Sequence, residues 1–114
     1  MAESFFISIG FDRLPESFWK RSLIVKPRDP NRNLVCHASA WDMFNGSDVR
    51  IKMCTTVAMG NLFVIHHEMG HIYYFLEYLN QPLDFRDGAN PGFQQLPFSY
   101  IVDINGVRRK NLGS

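Results

Sequence analysis

The amino-acid sequence predicts a mainly α-helical chain with one β-hairpin, and three observations carry that expectation. From Val57 to Leu79 apolar residues recur at helical spacing, through Leu62, Ile65, Met69, Ile72 and Leu76, which predicts a helix of roughly five to six turns. Upstream, Leu34–Trp41 and Val49–Thr56 read as two strands flanking Asn45-Gly46, a strong turn signal. Leu14-Pro15-Glu16-Ser17-Phe18-Trp19 reads as a second helix start, because proline suits the first helical position, where its missing N–H is not needed.

Taken in chain order, Phe5, Phe6 and Ile9 sit at helical spacing within Ala2–Ile9, as at the end of a longer helix. Lys26-Pro27-Arg28-Asp29-Pro30-Asn31 is a loop set by two prolines and polar neighbours. A hairpin centred on Asn45 pairs residues whose numbers sum to 90. That register sets Cys36 opposite Cys54 on a face shared with Ala38 and Ala40, and puts His37, Ser39 and Trp41 on the other face with Met53, Ile51 and Val49. Directly opposed Cβ atoms lie about 4.5 to 5.5 Å apart, a little wide for a disulfide but closable with modest adjustment. The long helix then runs about 56–79, with Thr55 or Thr56 as its N-cap and Pro82 beyond its end. Gly88-Ala89-Asn90-Pro91-Gly92 is a loop, and further on Phe98–Val102 reads as a strand and Asn105-Gly106 as a turn.

The chain's 114 residues suit one domain at most, and its 46% apolar and 20% charged residues are an ordinary globular balance. A net charge of +1 gives no electrostatic footprint for nucleic acid or an anionic membrane. Arg108-Arg109-Lys110 reads as a solvated tail. No segment reaches the roughly 18 to 20 apolar residues of a membrane span. The N-terminus lacks the basic start and cleavage site of a signal peptide.

The chemistry lies in His67-Glu68-Met69-Gly70-His71. Residues four apart on a helix stack on one face, so His67 and His71 can reach one ion. Zinc takes imidazole nitrogen readily. Glu68, one residue past the first ligand, is placed to exchange protons with a water bound there, as the general base of a metallopeptidase. His66 points about 100° away and reads as a packing or supporting histidine. The hairpin edge, with small residues at Ala38, Ser39 and Ala40, can pair with an extended peptide. The same hairpin can equally be ordinary packing.

The sequence resembles the angiotensin-converting-enzyme family of zinc metallopeptidases (peptidyl-dipeptidase A, gluzincin type) over about residues 2–93. The likeness rests on Phe5-Phe6, Leu14-Pro15-Glu16-Ser17-Phe18-Trp19, Lys26-Pro27, Val35-Cys36-His37-Ala38-Ser39-Ala40-Trp41-Asp42, Arg50-Ile51-Lys52-Met53-Cys54-Thr55-Thr56-Val57, His66-His67-Glu68-Met69-Gly70-His71-Ile72 and Gly88-Ala89-Asn90-Pro91-Gly92-Phe93. It implies a fragment of a large, mostly helical zincin-type domain that removes dipeptides, or single residues, from the C-termini of small peptides. By that likeness His67 and His71 are Zn2+ ligands, Glu68 is the catalytic acid/base, and His37, Ala38 and Ala40 line the substrate cleft. The same likeness implies a disulfide between Cys36 and Cys54. It also implies an extracellular or cell-surface setting, which suits glycosylation at Asn45 in Asn45-Gly46-Ser47. Chloride can activate the family, although none of its chloride-binding residues is found here.

The family follows Gly-Ala-Asn-Pro-Gly-Phe with His-Glu, whose glutamate is the third zinc ligand; here Gln94-Gln95 stands instead, so Gln95 holds that place. A neutral amide oxygen is a much weaker ligand than a carboxylate. The sequence therefore divides into a partial metallopeptidase domain over 1–93, with hairpin 34–56 and zinc helix 56–79, and an unrelated tail over 94–114. It is expected to be inactive alone. The alternative is a non-catalytic, truncated protein that binds peptides or a partner.

Overall fold

The structure, a computed structural model, describes residues 1–93, in the order α1 (Ala2–Ser8), α2 (Glu16–Arg21), β1 (Ser39–Asp42), β2 (Val49–Lys52) and α3 (Met59–Glu77). The strand and turn expected at 98–102 and 105–106, and the tail 94–114, lie outside the described residues. The mainly α class with one hairpin is what the structure shows.

Phe6, Leu14, Phe18, Val49, Ile51, Met53, Met69 and Ile72 form the core, so α1, α2, β2 and α3 each contribute. α1 and α2 are short, at 7 and 6 residues, below the length at which an isolated helix holds in water. Their fixing comes from packing and a few long-range bonds. The Leu14 N–H donates to Glu3 Oε1 at 3.0 Å, and the Tyr73 hydroxyl donates to the Asp12 carbonyl at 2.9 Å. Pro15 sits at the N-cap of α2, one position earlier than expected.

The hairpin corrects the sequence reading. Its ladder covers only Ser39–Asp42 and Val49–Lys52, and the pairs Ala40↔Ile51 and Asp42↔Val49 sum to 91, not 90. The reason is in the turn. The Ser47 N–H donates to the Phe44 carbonyl at 3.1 Å, and Asn45 and Gly46 are its two central residues, at φ 47° and 83°. The dyad thus falls between Asn45 and Gly46 rather than on Asn45, and a one-residue shift exchanges the faces. Ala40 therefore shares the inner face with Ile51 and Val49, each 1% exposed, while Trp41 is turned to the surface. Cys36 and Cys54 still join in a disulfide, with Cα atoms 5.1 Å apart. They lie beyond the ladder, where strand register no longer governs.

A pairing absent from the sequence reading covers the other edge of β2. The Leu23 N–H donates to the Ile51 carbonyl at 2.9 Å, the Met53 N–H to the Leu23 carbonyl at 2.7 Å, and the Thr55 N–H to the Ile24 carbonyl at 2.8 Å. Arg21 and Arg50 both reach Asp48, at 2.7 and 2.6 Å, tying α2 to the start of β2.

The long helix starts three residues later than expected, at Met59, with Ala58 as N-cap and no side-chain cap. Thr56 is engaged otherwise: its hydroxyl and carbonyl accept from Asn61 Nδ2 at 2.8 and 3.3 Å. The helix ends at Glu77 and tightens into a 3-10 turn over Tyr78–Asn80, a common way to close a helix.

Candidate functional site

α3 carries His67, Glu68 and His71 along a wall of a cleft of about 680 Å³, and the opposite wall is the hairpin arm with Cys36, His37, Ala38, Ser39 and Ala40. His37, Ala38 and Ala40 are thus brought to the same cleft as the helix residues. The arm reaches it because Ala38 and Ala40 take the inner face, and their small side chains leave space in front of α3.

The two ring nitrogens His67 Nε2 and His71 Nε2 are 3.1 Å apart, with the rings nearly perpendicular at 82°. Two imidazole ligands on a tetrahedral ion would have their nitrogens about 3.3 Å apart, given bonds of roughly 2.0 to 2.1 Å. The pair therefore fits two corners of a zinc site. Burial, with His67 adding to it, pulls the His71 pKa down to about 4, so its ring stays neutral, the form that binds metal. Burial pushes the Glu68 carboxyl above its ordinary value, and His37 across the cleft partly offsets this.

His66 is 2% exposed; its Nδ1–H donates to the Leu62 carbonyl at 2.6 Å and its ring lies against Phe5 and Phe6. It packs α3 onto α1, in line with the sequence reading. Among the described residues no three His, Cys, Asp or Glu side chains gather as a metal-holding group, and Gln95 lies outside them. Asn45 is exposed at the hairpin turn, away from the cleft lining. Asn61, Val64 and Phe75 also line the cleft and were not singled out from sequence. Their spacing with Glu68 and His71, alternately three and four residues, was the available signal.

A helix bearing His-Glu-x-x-His against a short hairpin is an arrangement of zinc metallopeptidases. The model of a peptidase family, described as angiotensin-converting enzyme, matches residues 1–102, and the chain belongs to that family. Among its relatives, the angiotensin-converting enzyme of Sus scrofa is 57% identical over 94 residues, covering 82% of this chain and 7% of that protein. That of Haematobia irritans exigua is 55% identical over 95 residues, 83% of this chain and 15% of the relative. That of Theromyzon tessulatum is 53% identical over 104 residues, 91% and 16%. The chain therefore spans about a fourteenth to a sixth of the length of these relatives. Among the described residues no helix is long and apolar enough to cross a membrane.

Proposed function

We propose that the chain forms the helix-and-hairpin part of a zinc peptidase site that takes small peptides and removes C-terminal dipeptides or single residues. The observation that carries this is the 3.1 Å approach of His67 Nε2 and His71 Nε2 across from the hairpin arm. His67 and His71 hold the metal, and Gln95 stands at the third position. Zinc, when bound, supplies Lewis acidity toward the peptide carbonyl and toward water. The Glu68 carboxylate takes the proton from the attacking water and delivers it to the leaving nitrogen; its burial-raised pKa suits both halves of that exchange. The arm from His37 to Ala40 lies alongside the peptide. The disulfide and the exposed Asn45-Gly46-Ser47 sequon support an extracellular or cell-surface setting, with Asn45 as a glycan acceptor.

Zinc titration calorimetry on the 114-residue chain tests the reading. His67→Ala and His71→Ala should each weaken zinc binding by about tenfold or more, while Glu68→Gln leaves the stoichiometry intact. Gln95→Glu should strengthen binding by about tenfold or more, because it restores a carboxylate at the third position. Unchanged binding in both histidine variants would sink the assignment.

A second reading, peptide or partner binding without catalysis, is favoured by the glutamine at position 95, whose neutral amide is a weaker zinc ligand than a carboxylate. It requires peptide binding that survives zinc removal and Glu68→Ala.

A further inference from the structure

The hairpin turn contains a reactive dipeptide that the fold restrains. Asn45 is exposed while Gly46 is buried. The Gly46 N–H donates to Asp42 Oδ1 at 2.5 Å. The space beside the Gly46 Cα is filled by the side chain of Leu79, into which any Cβ there would run.

Asparagine before glycine is prone to ring closure because no side chain shields the following amide nitrogen. The Gly46 nitrogen bonds to Asn45 Cγ and gives up its proton; the Cγ–Nδ2 bond breaks, and Nδ2 leaves with that proton as ammonia. Water then opens the resulting five-membered imide at either carbonyl, leaving an aspartyl or isoaspartyl link. The net change consumes one water, releases one ammonia and involves no oxidant or reductant.

We propose that Asn45-Gly46, in chains whose Asn45 carries no glycan, is a latent deamidation site held shut by Asp42 and Leu79. The step needs the Gly46 nitrogen to lose its proton and to swing toward the Asn45 side chain. The Asp42 carboxylate accepts that N–H, and a negative charge beside it disfavours an amide anion. Leu79 blocks the rotation of Gly46. Reaction therefore waits for the turn to open away from α3. Its product places a new carboxylate between Asp42 and Asp48. In the isoaspartyl form it also lengthens the turn backbone by one carbon, at the point that sets the hairpin register.

The test uses the 114-residue chain made without glycosylation, with peptide-mapping mass spectrometry over time in mildly alkaline buffer. A synthetic peptide spanning Trp41–Val49 runs in parallel. The intact chain should deamidate at Asn45 about tenfold or more slowly than the peptide, since the turn must first open. Asp42→Ala and Leu79→Ala, each checked for retained helicity, should move the rate toward that of the peptide. Hydrogen exchange of the Gly46 amide in the parent chain supplies a readout that does not depend on variants folding, and protection is expected. A parent chain that reacts as fast as the peptide, an unprotected Gly46 amide, or folded Asp42 and Leu79 variants as slow as the parent would each overturn the proposal.

Discussion

His71 illustrates how burial prepares a side chain before any ligand arrives. Its ring is 8% exposed and its pKa is drawn down to about 4, from 6.5, by burial first and by the neighbouring His67 second. Between those two values the unfolded chain binds the proton and the folded chain does not. The contribution of His71 to stability should therefore fall as pH is lowered from about 6.5 toward 4 and level off below that, while Asp48, held down to about 2 by Arg50 and Arg21, adds a further loss at lower pH. Urea midpoints measured across that range should show the fall in the parent and a flatter profile in His71→Asn. Identical pH profiles in the parent and in His71→Asn would contradict the burial of a neutral ring, since the raised carboxyl of Glu68 acts in the opposite sense in both. At this scale the sequence was informative: the four-residue spacing of His67 and His71 fixed their convergence, and the 100° offset placed His66 in packing. It said less of Asn61, Val64 and Phe75, whose spacing with Glu68 and His71 puts them on one helix face but whose apolar or amide side chains carry no chemical mark of their own.

Among the elements, two glycines separate helix propensity from turn geometry. Gly60 lies in the first turn of α3, and a Cβ built there meets nothing within 4 Å. Gly60→Ala should stabilise the chain by about 0.4 to 1 kcal/mol, through higher helix propensity and a less free unfolded state. Gly46 has φ +83° and lies against Leu79, so Gly46→Ala should destabilise it by more than Gly60→Ala stabilises it. Thermal melts followed by circular dichroism read both changes; equal effects of the same sign would refute the distinction. The hairpin was legible as an element, since Asn45-Gly46 names the turn. Its register was not, because a single-residue choice of centre depends on which backbone bonds close the turn, here Ser47 to Phe44. The partner edge at Leu23–Ile24 was hidden for a related reason: two residues that pair with a distant strand make no pattern along the chain.

At the scale of the whole molecule, the disulfide closes a sequence separation of 18 residues. Loop-closure entropy gives such a link about 3 kcal/mol of stability, a large share of the margin in a domain of this size. Cys36→Ala with Cys54→Ala should lower stability by about that amount, measured by urea unfolding. A loss below about 1 kcal/mol would show that the hairpin holds without it. The link matters here because the ladder stops at Ser39 and Lys52. The arm with His37 and Ala38 lies outside the sheet bonds and is tethered through Cys36. Several large apolar side chains remain exposed, Val35, Phe44, Val57 and Phe85 among them, as suits a chain that spans a small fraction of its relatives' length.

The hairpin is braced at two separate points, once across its own arms and once against the turn that follows the long helix. At its open end Cys36 is bonded to Cys54, five residues before α3 begins; at its closed end Gly46 is wedged against Leu79, just past where α3 stops. Mechanically it is a beam supported at both ends rather than a flap on a hinge. Such a beam bows least near its supports. The width of the space in front of His67 and His71 is therefore governed from the two ends of the hairpin rather than from its middle.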